Sequence, residues 1–261
     1  MTEVAYGVHP LQKLKVFHHS PENTHTLLLI HGGAWNDPGN TYNDFMQMAD
    51  SLMSKRVLVN VLGINYRLTP EIVHPFHLQD LVDGIEFLVR EYNIFRILVL
   101  GHSVGATMAL QLLNYKQILE AGYEQLQEKV DFSITNLKIE LDTIFFVDGI
   151  YDIADLVAEY GPPYQAFVDR AFVSKKQYAE AVQPSRAKFT NFAFSPKKII
   201  VVQSLQDELL SLRQTHKFMA FLQLLGVPYS SHEEPWGAHE EVYRREELAD
   251  LVSETLKQID A

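Results

Sequence analysis

The 261-residue sequence contains no cysteine. Disulfide bonds, thiolate nucleophiles and cysteine-based metal sites are therefore excluded, and we expect a cytoplasmic protein because such proteins rarely depend on disulfides. Basic residues are also few, since 22 Lys and Arg stand against 33 Asp and Glu and give a formal net charge of -11. A chain this acidic is unsuited to nucleic acid or an anionic membrane surface, and we expect neither as a partner.

Long apolar runs are absent as well. No stretch approaches the roughly 20 apolar residues that a membrane-spanning helix needs, and residues 1–17 show neither the apolar core nor the cleavage signature of a secretion signal. The hydrophobic content of 47% and charged content of 21% are those of a globular protein. A chain of this length can bury one large core, so we expect a single domain, 1–261, with residues 148–196 forming a small cap that lines the pocket.

Short apolar runs typical of buried strands alternate with segments of helical spacing. The strand-like runs are residues 13–17, 26–30, 57–64, 96–100, 141–147, 197–203 and, more weakly, 229–233. Apolar residues recur at helical spacing over residues 78–88, 212–222 and 248–259, and the second of these segments ends at Gly226 and Pro228. This alternation predicts an α/β fold with a mostly parallel central sheet and helices on both faces.

The segment Gly101-His102-Ser103-Val104-Gly105 lies between a strand-like run and an apolar helical stretch. A serine at such a corner adopts a strained backbone conformation, and its neighbours two positions before and after come so close that glycine is favoured at both. We therefore predict that Ser103 is an exposed nucleophile. The amide of Val104, at the start of the helix, is predicted to stabilise an oxyanion.

A second glycine-rich segment, His31-Gly32-Gly33-Ala34-Trp35, directly follows the run at residues 26–30. Two glycines allow the backbone to approach a ligand closely, and we predict that the amides of Gly33 and Ala34 complete the oxyanion hole. The alternative is a simple strand-to-loop turn in which His31 and Trp35 are packed for structural reasons.

A serine hydroxyl needs a base to take its proton, and the usual base is an imidazole oriented by a carboxylate. In this fold class the chain order is Ser, then Asp or Glu, then His. His239 follows the last strand-like run and precedes the final helix, which makes it the predicted base. A metal site is not expected, because His18 and His19 are adjacent and no His-Glu-Xaa-Xaa-His occurs, and a phosphate-binding loop is also missing.

Asp207, in the loop after the run at residues 197–203, is the preferred partner of this histidine. Its alternative role is to cap a helix beginning near Leu209. Three other carboxylates compete for the assignment. They are Glu208, which we expect to point away, and Asp148 and Asp152, which follow the strand at residues 141–147.

The Gly-His-Ser-Val-Gly motif, the His-Gly-Gly loop and residues 65–71, followed by Pro75 and Asp80, resemble the α/β-hydrolases related to hormone-sensitive lipase. The form His-Gly-Gly-Xaa-Trp is similar to that of the kynurenine formamidases, and the similarity to the fungal members extends over nearly the whole chain. It is carried by residues 31–37, 101–107, 148–151 and 207–210.

This resemblance implies an α/β-hydrolase fold and a cofactor-free enzyme that removes formate from N-formyl-L-kynurenine, in tryptophan breakdown toward NAD. Ser103 would be the nucleophile, His239 the base and Asp207 its partner, with a formyl-enzyme ester as intermediate. A structural role is implied for the stretch Tyr66-Arg67-Leu68-Thr69-Pro70-Glu71.

The resemblance also makes Trp35, Tyr66 and Tyr151 candidate walls for an aromatic substrate, with core packing as the alternative for each. The expected partner is this small molecule, and the sequence leaves a homodimer open. Two other functions remain: a carboxylesterase of broad specificity with the same machinery, and a ligand receptor that binds on a hydrolase scaffold without turnover.

Overall fold

The computed structural model describes residues 1–126, 136–177 and 192–259. Eight strands of the described chain form one sheet in the order β1-β2-β4-β3-β5-β6-β7-β8. The pairs β1–β2 and β2–β4 are antiparallel and the other five pairs are parallel. The strands are β1 Thr2–Ala5, β2 Lys13–His18, β3 Thr26–Ile30, β4 Asn60–Ile64, β5 Arg96–His102, β6 Glu140–Val147, β7 Lys198–Ser204 and β8 Ser230–Glu234.

Helices cover both faces of this sheet. In chain order they are α1 Met46–Ser54, α2 Phe76–Tyr92, α3 Val104–Leu112, α4 Tyr115–Leu126, α5 Ile153–Tyr160, α6 Pro162–Ala171, α7 Leu212–Leu224 and α8 Glu246–Ile259, with short 3-10 helices at Tyr42–Phe45 and Val242–Arg244. One buried cluster contains side chains of α2, α3 and α7, and a second contains those of α1 and α8. No helix in the described part of the chain is both long and apolar enough to cross a membrane.

Strand β3 explains why the sequence shows continuous apolar runs rather than alternation. Leu28 and Ile30 belong to one buried cluster, whereas Leu27 and Leu29 belong to the other. All four side chains are fully buried because successive residues of a strand point to opposite faces and helices cover both. The predicted α/β class with a mostly parallel sheet is confirmed.

The sequence analysis missed or misplaced some elements. Strand β1 was not predicted, because its residues are mostly exposed and it pairs along one edge only, with β2. Helices α1 and α4 were not predicted either. Strand β4 begins at Asn60 rather than Val57, and the intervening Leu58 is exposed. Helix α7 ends as predicted, with Gly226 at a φ of 66°.

The segment proposed as a cap contains α5 and α6 in its described part. These helices pack beside each other at the end of the sheet where β6 terminates. Residues 178–191 of the segment lie outside the described residues. The single domain and the extent of the cap therefore stay predictions.

An ion pair beneath the glycine-rich loop supports the stretch at residues 65–71. The Asp80 carboxylate is fully buried on α2 and accepts hydrogen bonds from the Arg67 amide, at 2.8 Å, and from the Arg67 guanidinium, the shortest at 2.6 Å. Gln12 donates a further hydrogen bond of 2.9 Å to the same carboxylate. Asp80 thus fixes the chain just after β4, in the structural role expected there.

We predict that Arg67→Met destabilises the protein by about 3 kcal/mol or more, because it leaves the buried Asp80 carboxylate without its cation. The measurement is the free energy of unfolding from urea denaturation. Arg96→Met is the matched control, since the Arg96–Glu140 pair is exposed, and it should cost less than about 1 kcal/mol. Equal losses in the two variants would contradict this interpretation.

Candidate active site

Ser103 occupies the sharp turn between β5 and α3. Its backbone has φ 56° and ψ -122°, a conformation that costs energy for any residue other than glycine. The Ser103 amide donates a 3.0 Å hydrogen bond to the carbonyl of Val147 on the neighbouring strand β6, which fixes the turn to the sheet. The serine is thus the strained corner residue that the sequence predicts.

The two glycines of this motif are required by close backbone contacts. A Cβ atom on Gly101 would lie 2.3 Å from the Gly105 carbonyl oxygen, and one on Gly105 would lie 2.2 Å from the Ile30 carbonyl oxygen. Gly32 also passes close to the serine, since a Cβ there would be 2.9 Å from the Ser103 Cβ. The two glycine-rich segments therefore pack directly against each other.

His239 and Asp207 form a buried hydrogen-bonded pair. The His239 Nδ1 lies 2.8 Å from Asp207 Oδ2, and the two side chains are 4% and 0% exposed. The other carboxylate oxygen, Oδ1, accepts the amides of Leu209 and Leu210 at 2.8 and 2.9 Å. Asp207 thus lies against His239, as the sequence predicts. The alternative role is wrong, because the helix that follows begins at Leu212 with Ser211 as its N-cap.

The competing carboxylates have other partners. Glu208 accepts the His239 amide at 2.9 Å, so the expectation that it points away is wrong, and it anchors the backbone of that histidine. Asp152 caps α5 by accepting the Asp155 amide. Asp148 accepts the Ser204 amide at 2.7 Å through Oδ1.

A cavity of about 230 Å³ opens above the carboxyl ends of the strands. Ser103, His239, Gly33 and Ala34 all line it, and Val104 directly follows the serine at the start of α3. Among the turn and loop hydrogen bonds of the described residues, none is donated by the amides of Gly33, Ala34 or Val104. The remaining lining residues are Asn36, Asp37, Asn40, Ile150, Tyr164, Phe167, Leu209, Leu210 and Glu240.

Electrostatics distinguishes His239 from the histidines around it. Burial by itself would lower the pKa of His239, but the hydrogen bond and charge of Asp207 outweigh it and raise the pKa above the usual value. Burial lowers the pKa of His31 to about 4 and that of His102 well below its usual value. Both of these imidazoles are therefore neutral near pH 7, and His239 is the one suited to take up a proton.

Comparison with known proteins places this arrangement in a family. The family described as BD-FAE matches residues 15–222. Kynurenine formamidase of Debaryomyces hansenii is 42% identical over 97% of this chain and 98% of that protein, and kynurenine formamidase of Meyerozyma guilliermondii is 43% identical over 96% and 92%. The chain belongs to the kynurenine formamidase family. It is a hydrolase.

The fold of this family member is also that of solved esterases. Esterase B from Lactobacillus rhamnosis has a TM-score of 0.76 and 15% sequence identity, with 100% of this chain and 87% of that chain covered. An arylesterase has a TM-score of 0.66 and 19% identity, with 95% and 80% covered. At these identities the likeness establishes the fold alone, and it confirms the α/β-hydrolase fold.

The aromatic residues named as substrate walls lie in the core of this kynurenine formamidase family member. Trp35 and Tyr151 are 1% exposed and Tyr66 is 2% exposed, and all three are absent from the cavity lining. The Tyr66 hydroxyl donates to the Gly32 carbonyl at 2.9 Å and thereby supports the glycine-rich loop. Tyr151 stacks on Phe218 at 4.3 Å. Core packing, the alternative interpretation, accounts for their positions.

The aromatic side of the cavity comes instead from α6. Tyr164 and Phe167 are partly buried there, and their rings lie 5.4 Å apart. The sequence analysis named only the segment that contains them, because the single turn of α6 that contributes both residues to the cavity lining leaves no distinctive motif. Their aromatic character within the proposed cap was the available signal.

One group of side chains in the described residues has the composition of a metal site. A ligand atom from each of His102, Asp148 and His239 lies within 4.8 Å of the others, and all three residues are buried. Within this group His239 is also hydrogen-bonded to Asp207, and Asp148 accepts the Ser204 amide.

We predict that Gly105→Ala lowers the free energy of unfolding by about 1–3 kcal/mol, because the new Cβ meets a backbone carbonyl that cannot move aside. Activity should fall as well, since the contact separates the serine turn from the glycine-rich loop. Gly39→Ala is the control, because its Cβ would meet only the flexible Asp37 side chain. The measurement is urea denaturation of both variants. An unchanged free energy of unfolding in Gly105→Ala would refute the prediction.

Proposed function

We propose that the chain hydrolyses N-formyl-L-kynurenine to L-kynurenine and formate, as a cytoplasmic, cofactor-free enzyme of tryptophan breakdown toward NAD. The observation that carries the proposal is the strained Ser103 turn sharing one cavity with His239, whose imidazole is held by Asp207 at 2.8 Å. Support for the substrate comes from relatives at 42% and 43% identity that are named kynurenine formamidase.

The first half of the reaction forms an ester on the serine. His239 accepts the Ser103 hydroxyl proton on Nε2, the ring nitrogen that does not face Asp207, while the serine oxygen attacks the formyl carbon. The amides of Gly33, Ala34 and Val104 stabilise the resulting oxyanion. His239 then gives its proton to the aryl nitrogen, the carbon–nitrogen bond breaks, and the arylamine leaves a formyl ester on the serine.

The second half releases formate. His239, neutral again, takes a proton from a water molecule that attacks the formyl ester. A second oxyanion forms at the same amides and collapses, and the serine oxygen leaves with the proton that His239 returns. Asp207 stabilises the imidazolium in both halves and remains ionised throughout.

The cavity lining has aromatic and polar residues, which suit the two parts of the substrate. Tyr164 and Phe167 offer aromatic faces to the substrate ring. Asn36, Asn40 and Glu240 also line the cavity and supply polar groups. Arg67 and Arg213 do not line the cavity and are paired with Asp80 and Asp155 instead.

We predict that Ser103→Ala and His239→Ala each lower kcat for N-formylkynurenine on the order of a thousandfold or more. The Ser103→Ala unfolding transition should stay close to that of the wild type, because only one oxygen atom at the cavity is removed. His239→Ala should also lower stability, because it leaves the buried Asp207 carboxylate without its imidazole. His216→Gln, on an exposed face of α7, is the control and should retain full activity. Near-full deformylase activity in Ser103→Ala would refute the mechanism.

Substrate choice separates the formamidase from the alternatives. We predict a higher kcat/KM for N-formylkynurenine than for p-nitrophenyl acetate, because the aromatic wall and polar side fit the amino-acid substrate. A clear preference for the ester would indicate a carboxylesterase of broad specificity. Binding of N-formylkynurenine without cleavage of either compound would indicate a receptor.

On the acid side of its pH profile, the activity should rise along a single limb, because His239 accepts a proton only when it is neutral. Since Asp207 raises the pKa of His239, the midpoint of this limb should lie above the usual histidine value of 6.5. Asp207→Asn removes the negative charge and should move the limb to lower pH while reducing the rate. The measurement is kcat/KM against pH, and an unmoved limb in Asp207→Asn would contradict the pairing.

A further inference from the structure

A second carboxyl group lies behind the His239–Asp207 pair and has no role in the reaction described above. Asp148 directly follows β6, is 0% exposed and has a φ of 43°, so its backbone is held in the left-handed region as that of Ser103 is. The Asp148 amide donates to the Val202 carbonyl on β7 at 3.0 Å. This residue therefore lies at the same edge of the sheet as the catalytic groups.

The two carboxyl oxygens of Asp148 have different surroundings. Oδ1 accepts the Ser204 amide at 2.7 Å. Oδ2 is buried, and no N–H or O–H group of the described residues donates to it. A buried carboxylate oxygen without a donor is costly, whereas a carboxylic acid at that position is itself a donor.

A second carboxyl group, that of Asp207, is next to the Asp148 carboxyl group. The Asp148 and Asp207 side chains lie within hydrogen-bonding contact of each other, and two carboxylates can form such a bond only when one of them carries a proton. The other titratable groups around Asp148 are the imidazoles of His239 and His102 and the hydroxyl of Tyr151. His102 is neutral and its Nε2 is also without a partner among the described residues, so it supplies no positive charge.

We propose that Asp148 is a positioning residue that works as a neutral carboxylic acid, sharing its proton with the carboxylate of Asp207. The inference rests on the proposed function, since it takes His239 and Asp207 as the base and its partner. Asp207 is the member that stays ionised because His239 and the amides of Leu209 and Leu210 donate to it. The proton on Asp148 keeps a second negative charge away from the imidazole.

The electrostatics of the buried pair agrees with this geometry. Burial, and next the charge of Asp207, raise the pKa of Asp148 to about 8, although the Ser204 amide works in the opposite direction. Below that pH the acid is neutral and donates its proton. Above it, ionisation places two carboxylates beside one imidazole, so the imidazolium formed during the reaction holds its proton more tightly and transfers it less readily to the leaving group.

Asp148→Asn is the decisive variant, because asparagine keeps the acceptor for Ser204 and provides a permanent donor to Asp207. We expect kcat/KM for p-nitrophenyl acetate at pH 7 to change by less than about tenfold. The acid limb should stay in place, since no charge is lost, and the decline above the pKa of Asp148 should disappear. Asp148→Ala, which offers neither donor nor acceptor, should be clearly less active than Asp148→Asn.

Infrared spectroscopy gives a readout that needs no substrate. The wild type at neutral pH should show the carbonyl band of a buried protonated carboxylic acid, and Asp148→Asn should lack it. Asp142→Asn is the matched control, because Asp142 is a buried acid on the same strand with Lys197 and His25 beside it, and it should keep both the band and the pH profile.

Each contrary result has a distinct meaning. An acid limb moved to lower pH in Asp148→Asn, or a wild type without the band, would show that Asp148 is ionised and would overturn the proposal. An active Asp207→Asn with an inactive Asp148→Asn would make Asp148 the orienting carboxylate and overturn it as well. Failure to cleave N-formylkynurenine would refute the proposed substrate alone, because the ester assay and the infrared band are independent of it.

Discussion

The close approach of three backbone segments at the serine turn is the constraint on which the site depends. Gly105 lies so near the Ile30 carbonyl that only hydrogen fits between them, and Gly101 lies equally close to Gly105. This contact presses the end of β5 against the end of β3, its parallel neighbour. As a result, the serine and the glycine-rich loop line one cavity.

His239 reaches the same cavity, and Asp207 reaches His239, through a second pair of neighbouring strands. Strands β7 and β8 are parallel and adjacent, so the loops that follow them begin side by side. Hydrogen bonds then join these segments, among them one from the Gly237 amide to Gln206 Oε1 at 2.9 Å and one from Ser204 Oγ to the Gly237 carbonyl at 2.5 Å. The distance between His239 and Asp207 is therefore fixed by backbone geometry as well as by their own hydrogen bond.

The parts of the site that the sequence predicted are those fixed by local structure. Ser103 needs glycines at fixed spacing between a strand and a helix, and Asp207 and His239 each follow a strand, so short segments carry the signal. The roles of Tyr66 and Glu208 depend on hydrogen-bond partners that are distant in the sequence. Tyr66 donates to the Gly32 carbonyl, and Glu208 accepts the His239 amide. The sequence does not indicate the hydrogen-bond partner of an aromatic or acidic residue. It did not predict the edge strand β1 either, because the exposed residues of that strand lack an apolar pattern.

The distribution of charge around the imidazole follows from burial rather than from the acidic composition of the chain. Buried histidines without a carboxylate partner, such as His31, stay neutral because desolvation disfavours the imidazolium. The pKa of His239 is raised instead, because Asp207 stabilises its imidazolium. A second ionised carboxylate would stabilise the imidazolium so strongly that it could not return its proton to the leaving group. A reversible base in a buried site therefore needs one negative charge and no more, which is the condition that a neutral Asp148 meets.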